Sequence, residues 1–397
     1  MDFSIFFFSG DGETNAARKY GLLLDSVKFA DRHGFTAVWI PERHFHALGG
    51  LYPNPSVIAA ALSQVTERIQ LRAGSVIMPL HNALRVAEEW AVVDNLSGGR
   101  VALAFGSGWQ PNDFVFFPDR YKDRREETYR GIEMVKKLWM GGAVPFRNGS
   151  GEEIEVRVFP KPLSNTPPPI WISATGDIET FRAAGRLGAN VLTALLYQSM
   201  ESAAEKIQAY RQALAQHGHD PKSGKVTMSL HTFVGENLEA VRETVRKPLC
   251  DYLRTSIKLM GNVSQNFGLD IDVNSLSERD LEGVLAFAFE RYFNNSALLG
   301  TPETCSNMVR RLQEIEVDEI ACFIDFGPDA EAVMSGMFHL DALRRRWQTP
   351  DNISNASSTA RPPAAPLSTN SSPAEVISRA EKQKLALLKL KQQRCGR

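Results

Sequence analysis

Residues 42–46, Glu-Arg-His-Phe-His, carry the side chains best suited to proton transfer. Because an imidazole titrates near neutral pH, His44 is a candidate proton donor or acceptor. His44 and His46 could instead ligate a metal, or be loop histidines satisfied by hydrogen bonds. Metal sites of the His-x-His kind usually draw a further Asp or His from later strands, whereas the later strand ends here offer Thr175, Leu195, Gly235 and Asp325. We therefore expect no metal and assign the catalytic role to His44.

Residues 174–177, Ala-Thr-Gly-Asp, favour an anion site. They join an apolar run to a helical segment that begins at Asp177, so free backbone N–H groups and the helix dipole would face a bound anion. Thr175 adds a hydroxyl group. The same turn could cap a helix without any ligand, and these residues alone leave both interpretations open.

Residues 106–110, Gly-Ser-Gly-Trp-Gln, begin like a dinucleotide fingerprint, but Pro111 stands where the third glycine is required. The small residues still permit close approach of the backbone to a flat ring or a phosphate. Arg124 and Arg125 follow in the next helical segment. They could reach a phosphate, or they could form an exposed pair that faces water.

Eight strand-helix units must position these segments. The apolar periodicity predicts strands at 3–9, 37–42, 69–78, 101–105, 170–173, 190–195, 225–235 and 319–326. It predicts helices at 16–34, 56–67, with Ser56 as N-cap, 84–97, 125–140, 177–187, 201–217, 238–253 and 330–347. Eight units favour a (β/α)8 barrel over an open doubly wound sheet, which usually has five to seven strands. Residues 153–159 predict a surface hairpin, and residues 257–300 an insertion that is helical around 280–293.

Composition excludes several classes of protein. The chain has 397 residues, 43% of them hydrophobic, and a net charge of −1, so it can build a large core but has no overall basic field for nucleic acid. No run approaches the roughly 18 apolar residues of a membrane helix. The start lacks the charged region of a signal peptide, and the four cysteines lack metal spacing. These features predict a cytoplasmic location with free thiols.

The last 50 residues differ from the rest. Residues 1–347 would form the barrel, and residues 348–374, rich in Pro, Ser and Ala, predict a disordered linker. Residues 375–397 hold seven Lys or Arg against two Glu, a charge of +5, which leaves −6 for residues 1–374. This basic tail is compatible with a short amphipathic helix. It is either a docking segment for an acidic partner protein or a disordered end.

Several motifs, in order, resemble the bacterial-luciferase-like flavin-dependent monooxygenases. They include residues 38–46 (VWIPERHFH), 72–81 (RAGSVIMPLH), 87–100 (AEEWAVVDNLSGGR), 108–114 (GWQPNDF) and 171–177 (WISATGD). The likeness covers about residues 2–347. It is greatest to the branch found in natural-product gene clusters beside polyketide synthases and nonribosomal peptide synthetases.

The resemblance implies a luciferase-like TIM barrel that binds reduced FMN and activates O2 on it. It assigns proton handling to His44 and a non-prolyl cis peptide under the flavin ring to Gly74 and Ser75. It places Thr175 and Gly176 in the phosphate turn, with Ala174 against the flavin through its backbone. Gly106 and Ser107 would run past the flavin. Luciferase has an arginine near the position of Ser107, so Arg124 or Arg125 would supply the missing charge.

The function that the resemblance implies is hydroxylation, or another oxygenation, of a biosynthetic intermediate tethered to a carrier protein of a synthetase. A separate flavin reductase would supply FMNH2, and dimers are common in this superfamily. Two alternatives stay open. One is a deazaflavin-dependent hydride transferase of the same superfamily, and the other is a non-catalytic flavin-binding accessory protein.

Overall fold

Eight parallel strands close into a barrel at the centre of the molecule, which confirms the predicted fold. A computed structural model describes residues 1–8, 19–164, 166–174, 176–196, 198–260 and 277–348. The barrel strands are β1 (Asp2–Phe6), β2 (Ala37–Ile40), β3 (Gln70–Ile77), β4 (Val101–Gly106), β7 (Ile170–Ser173), β8 (Asn190–Ala194), β9 (Val226–Val234) and β11 (Glu319–Phe323). Strand β9 pairs with β8 and β11, and β1 pairs with β11 and β2, so the ring is complete.

Helices surround the barrel in the order expected of βα units. They are α1 (Gly21–His33), α2 (Pro55–Ser63), α3 (Ala83–Ser97), α4 (Arg124–Trp139), α5 (Ile178–Arg186), α6 (Met200–Gln216), α7 (Leu238–Met260), α8 (Glu278–Asn295), α9 (Pro302–Glu314) and α10 (Ala330–Trp347). The predicted N-cap Ser56 is wrong. Asn54 caps α2 by accepting from the backbone N–H groups of Ser56 and Val57, with Pro55 at the first helical position.

The insertions contain one confirmed element and one that was missed. The surface hairpin expected around residues 153–159 is present, and β5 (Val144–Arg147) pairs with β6 (Glu153–Val156) in antiparallel register. Between α8 and α9, β10 (Leu298–Gly300) pairs with the carboxyl half of β9 outside the eight-stranded ring. The sequence predictions missed both β10 and α9, which begins in a capping box formed by Thr301 and Thr304.

A buried ion pair lies inside the barrel. Arg72 Nη1 donates to both carboxylate oxygens of Glu319, at 2.9 and 2.8 Å. The guanidinium carbon lies 4.7 Å from the ring centre of Trp39 and 4.5 Å from that of Trp171. Ser4 Oγ and Trp39 Nε1 also donate to Glu319, at 2.6 and 3.1 Å. Because both charged groups are paired with each other, the ion pair can be buried away from water.

Some predicted features fall outside the described residues. They are the phosphate-turn residue Thr175, the linker beyond residue 348 and the basic tail at 375–397. Cys250, Cys305 and Cys322 are free thiols. Over the part of the chain that the structure describes, no helix is long and apolar enough to cross a bilayer.

Candidate active site

A cavity of about 750 Å³ lies at the carboxyl ends of the barrel strands. This volume is within the range of small-molecule and cofactor sites. Five of the predicted cofactor-binding residues line it: Gly74, Ser75, Gly106, Ser107 and Gly176. The described lining does not include His44, Ala174 or Arg124, although Glu42 and Arg43 beside His44 belong to it.

Two glycines of β3 and β4 present their backbone to the cavity. The peptide bond between Gly74 and Ser75 is cis, as the resemblance implied. A Cβ atom on Gly74 would lie 3.1 Å from Cβ of Trp39 on β2, and one on Gly106 would lie 2.8 Å from Ser75 Oγ. Neighbouring side chains therefore leave no room for a larger residue at either position. A flat ring could contact the backbone closely at these two glycines.

A single carboxylate joins two histidines at the ends of β2 and β3. Glu42 Oε1 accepts from His44 Nε2 at 2.8 Å and from His81 Nε2 at 2.7 Å. Glu42 Oε2 accepts the backbone N–H of Ile77 at 2.8 Å. An ionised carboxylate is only an acceptor, so both imidazoles carry a proton on Nε2. A neutral His44 then keeps its lone pair on Nδ1.

The charges in this group stabilise each other. Burial would raise the pKa of Glu42, but hydrogen bonds from His44 and His81, together with the charge of His81, lower it. Burial would lower the pKa of His81, and the bond and charge of Glu42 instead raise it. Within the described ranges, no group of three or more His, Cys, Asp or Glu is arranged to hold a metal ion.

A second buried ion pair closes the cavity beside the histidines. Arg43 donates to the carboxylate of Asp113 and to the backbone carbonyl of His44, the latter at 3.0 Å. Its guanidinium also lies 5.4 Å from the ring centre of Trp109. Burial raises the pKa of Asp113 in spite of the charge of Arg43. The pair links the loop after β2 to the loop after β4 and so fixes the position of His44.

The opposite side of the cavity is suited to an anion. Gly176 lies there, directly before α5, and Asp177 caps this helix through a bond from the N–H of Glu179. Lys206 of α6 lines the same cavity and donates to Gln198 Oε1 at 2.9 Å. Burial lowers the pKa of Lys206, although the charge of Asp177 acts in the opposite sense.

The two arginines proposed for phosphate binding occupy other places. Arg124 donates to the carbonyl oxygens of Gly108 and Tyr121, at 3.2 and 2.9 Å, and so fixes the loop after β4. Arg125 forms an exposed ion pair with Asp177 at 2.7 Å. Ala174 is buried, and its N–H donates to Leu192 O at 2.9 Å.

The sequence assigned no role to two residues of this site. His81 lies three residues after the predicted strand 69–78, and its position at a strand end was a usable signal. Lys206 had no such signal, because it lies 30 residues beyond Gly176 in the middle of a helix whose orientation depends on the barrel.

Residues 1–319 match the family model described as luciferase-like monooxygenase. The chain belongs to this family. Limonene 1,2-monooxygenase of Rhodococcus erythropolis is 26% identical over 73% of this chain and 71% of its own length. The oxygenase component of a flavin-dependent trigonelline monooxygenase from Acinetobacter baylyi is 23% identical over 79% of this chain and 85% of its own length.

Solved structures share the fold. Monooxygenase RslO1 of Streptomyces bottropensis superposes with a TM-score of 0.69 at 24% identity, covering 86% of this chain and 98% of that one. The oxygenating constituent of 3,6-diketocamphane monooxygenase from Pseudomonas putida, in complex with FMN, superposes with a TM-score of 0.68 at 16% identity. The match covers 86% of this chain and 96% of that one. An F420-dependent secondary alcohol dehydrogenase superposes with a TM-score of 0.64 at 16% identity, covering 88% of this chain and 100% of that one.

Proposed function

We propose that this family member is the oxygenase component of an FMN-dependent monooxygenase. It would receive reduced FMN from a separate flavin reductase and use O2 to oxygenate, in the first instance hydroxylate, an organic substrate. The main support is the cavity, whose lining contains Gly74, Gly106 and Glu42, the carboxylate that joins His44 and His81. The named cofactor of the diketocamphane monooxygenase and the name "oxygenase component" of the trigonelline enzyme agree with it.

The residues of the cavity fit a flavin mononucleotide. Gly74, Ser75 and Gly106 would hold the flat ring close to the backbone, because the two glycines of this lining carry no side chain. When bound, reduced flavin supplies the electrons and the position at which O2 reacts. The protein must exclude water and hold the substrate beside this position.

Lys206 is our candidate for the charge that binds the phosphate. Ser107 carries no charge, Arg124 is engaged with two backbone carbonyls, and Arg125 is paired with Asp177 at the surface. Lys206 lines the cavity together with Gly176. A partly buried ammonium group bonded only to a neutral amide can exchange that bond for a phosphate oxygen.

His44 would handle the proton of the reaction. Its Nε2 is bonded to Glu42, so Nδ1 is the atom that can accept or return a proton. Glu42 positions the ring, and Arg43 holds the backbone of the same loop through the carbonyl of His44. Phe116 packs edge-on against the imidazole, with ring centres 5.0 Å apart, and limits access of water from that side.

The substrate would be a natural-product intermediate bound to a carrier protein of a polyketide or nonribosomal peptide synthetase. This part of the proposal is supported by the resemblance of the sequence to that branch, and by a 25% identical relative named 4-hydroxyprotoasukamycin monooxygenase. Intact mass measurement of a loaded carrier protein, after reaction with FMN, a reductase, NADH and O2, should show a gain of about 16 mass units. Oxidation of the free substrate alone would refute tethering.

A hydride transferase that uses a deazaflavin is the second candidate, because an F420-dependent dehydrogenase shares this fold. Anaerobic titration with reduced FMN and with reduced F420 separates the two functions. We expect saturable binding of reduced FMN and, after mixing with O2, flavin oxidation at a rate that differs from that of free flavin. Tight binding of F420 without binding of reduced FMN would refute the monooxygenase.

A further inference from the structure

His231 lies in the wall of the same cavity, on the side formed by β9 and β11. It belongs to β9, is 3% exposed, and lines the cavity with Tyr252, Tyr292 and Phe323. The ring of His231 contacts those of Tyr252 and Phe323, each with centres 4.5 Å apart. This side of the cavity is therefore an aromatic compartment built from β9, β11, α7 and α8.

One nitrogen of His231 is paired and the other is not. Nδ1 lies 2.7 Å from the hydroxyl oxygen of Tyr292. Nε2 is buried and has no hydrogen-bond partner among the residues that the structure describes. A buried polar atom without a partner costs about 1–3 kcal/mol. A ligand that brings its own polar atom to Nε2 would remove this cost.

The compartment contains no formal charge. Burial lowers the pKa of His231 to about 3, so the imidazole is neutral at physiological pH. Burial also raises the pKa of Tyr292 far above its usual range, so its hydroxyl stays protonated. The charged side chains of the described lining are Glu42, Arg43, Asp113 and Lys206, which come from the loops after β2 and β4 and from α6. None of them belongs to β9, β11, α7 or α8.

We propose that this compartment, defined by His231, Tyr252, Tyr292 and Phe323, binds a neutral apolar group of the substrate whose single oxygen hydrogen-bonds to His231 Nε2. The aromatic side chains supply the apolar contact, and His231 Nε2, which has no partner among the described residues, supplies a polar contact. A carboxylate is disfavoured, because it would lose its hydration without meeting a positive charge. The inference rests on the proposed monooxygenase function and names the class of substrate that its site accepts.

Benzyl alcohol and toluene are suitable probes, because they share a ring and differ by one hydroxyl group that can donate or accept. Benzoate is the charged counterpart. Dissociation constants come from ligand-observed NMR on the full chain. The double variant His231→Phe/Tyr292→Phe replaces both bonded partners by apolar rings and leaves no new unpaired atom. Trp139→Phe removes another unpaired buried ring N–H, outside the cavity lining, and is the control.

The preference for benzyl alcohol over toluene should fall roughly three- to tenfold in the double variant and stay unchanged in Trp139→Phe. Benzoate should displace benzyl alcohol from the wild type at least about tenfold less effectively than unlabelled benzyl alcohol does, whether or not benzoate also binds near Lys206. An unchanged preference in the double variant, equally effective displacement by benzoate, or no saturable binding of benzyl alcohol would overturn the proposal.

A measurement on the wild type covers the case in which the double variant does not fold. Histidine-selective 15N labelling reports the ring nitrogens directly, and the ring of His231 should stay neutral between pH 5 and 9, because burial lowers its pKa to about 3. Benzyl alcohol should shift its Nε2 resonance and toluene should not. An unshifted resonance at saturation would refute the contact.

Titration with FMN distinguishes this proposal from the function on which it rests. We expect the double variant to bind FMN as the wild type does. If the double variant no longer binds FMN but keeps the preference for benzyl alcohol over toluene, His231 contacts the cofactor. The proposed substrate compartment would then be wrong, although the proposed monooxygenase function would remain. If the wild type itself fails to bind FMN, the proposed function falls, whatever the probes show.

Discussion

Replacement of Glu42 by glutamine tests the arrangement of the two histidines. The carboxylate accepts three N–H groups, from His44, His81 and the backbone of Ile77, at 2.7–2.8 Å. An amide has one acceptor oxygen and one donor NH2 group, so in either orientation at least one of the three donors meets another donor. A hydrogen bond to a charged group contributes about 1.5–3 kcal/mol. The variant no longer buries a charge, which offsets part of this loss. We therefore expect its free energy of unfolding to be about 2 kcal/mol lower than that of the wild type.

The pH dependence of the loss identifies its cause. The pKa of Glu42 is lower in the folded protein than in the unfolded chain. Its contribution to the free energy of unfolding is therefore complete above the unfolded pKa of 4.5, and it disappears as the pH falls through the folded pKa. The pKa of His81 is higher in the folded protein than in the unfolded chain. Its contribution to the free energy of unfolding is therefore complete below the unfolded pKa of 6.5, and it disappears as the pH rises through the folded pKa. The stability difference between wild type and variant should therefore be greatest between pH 4.5 and 6.5.

Urea unfolding at a series of pH values from about 3.5 to 9 measures this difference, and NMR titration of His81 measures its pKa in both proteins. We expect the pKa of His81 to fall in the variant. Glu88→Gln is the control, because Glu88 is partly exposed and pairs only with Arg85 on the surface of α3. A stability difference that is flat across the pH range, or a pKa of His81 that does not fall, would refute the reasoning.

Three further substitutions test other parts of the structure. His44→Ala should lower turnover by about 10²- to 10⁴-fold without weakening the binding of reduced FMN in an anaerobic titration. An equal loss of turnover and of affinity for reduced FMN would contradict a role in proton transfer. Lys206→Gln should weaken FMN about tenfold or more and leave riboflavin unchanged, with partial recovery in Lys206→Arg; an equal effect on riboflavin would exclude phosphate binding. Glu319→Gln leaves the Arg72 cation buried without its counter-charge, so urea unfolding should show a loss of about 3–5 kcal/mol, and a loss below about 1 kcal/mol would contradict the buried pair.

The barrel could be predicted from sequence because each of its strands is a separate apolar run followed by a helical period. Local signals fixed the ends of several helices, such as Gly34 and Gly98, which take φ values of 81° and 72°. The missed strand β10 has only three residues and pairs with β9 outside the ring, so no periodicity could distinguish it from a loop. Helix α9 was missed although Thr301 and Pro302 form a recognisable helix start.

The candidate site was predictable where it depends on backbone and not where it depends on helix orientation. Gly74 lies within β3, Gly106 ends β4 and Gly176 follows β7 by three residues, so the barrel fold alone brings them to one face. The orientation of Lys206 toward the cavity is set by how α6 packs on α5, which a sequence pattern does not specify. His231 has the same limitation, since a buried histidine in a strand is indistinguishable in sequence from one whose two nitrogens are both satisfied.

The distribution of charge in the cavity determines where each ligand can bind. An anionic group would be attracted to Lys206 near Gly176, and a ring attached to it could extend along the backbone of Gly74 and Gly106. The elements that build the compartment around His231, namely β9, β11, α7 and α8, supply no charged side chain to the described lining, so an anion would gain less there. We therefore expect the neutral group of the substrate in that compartment and the phosphate of the cofactor near Lys206.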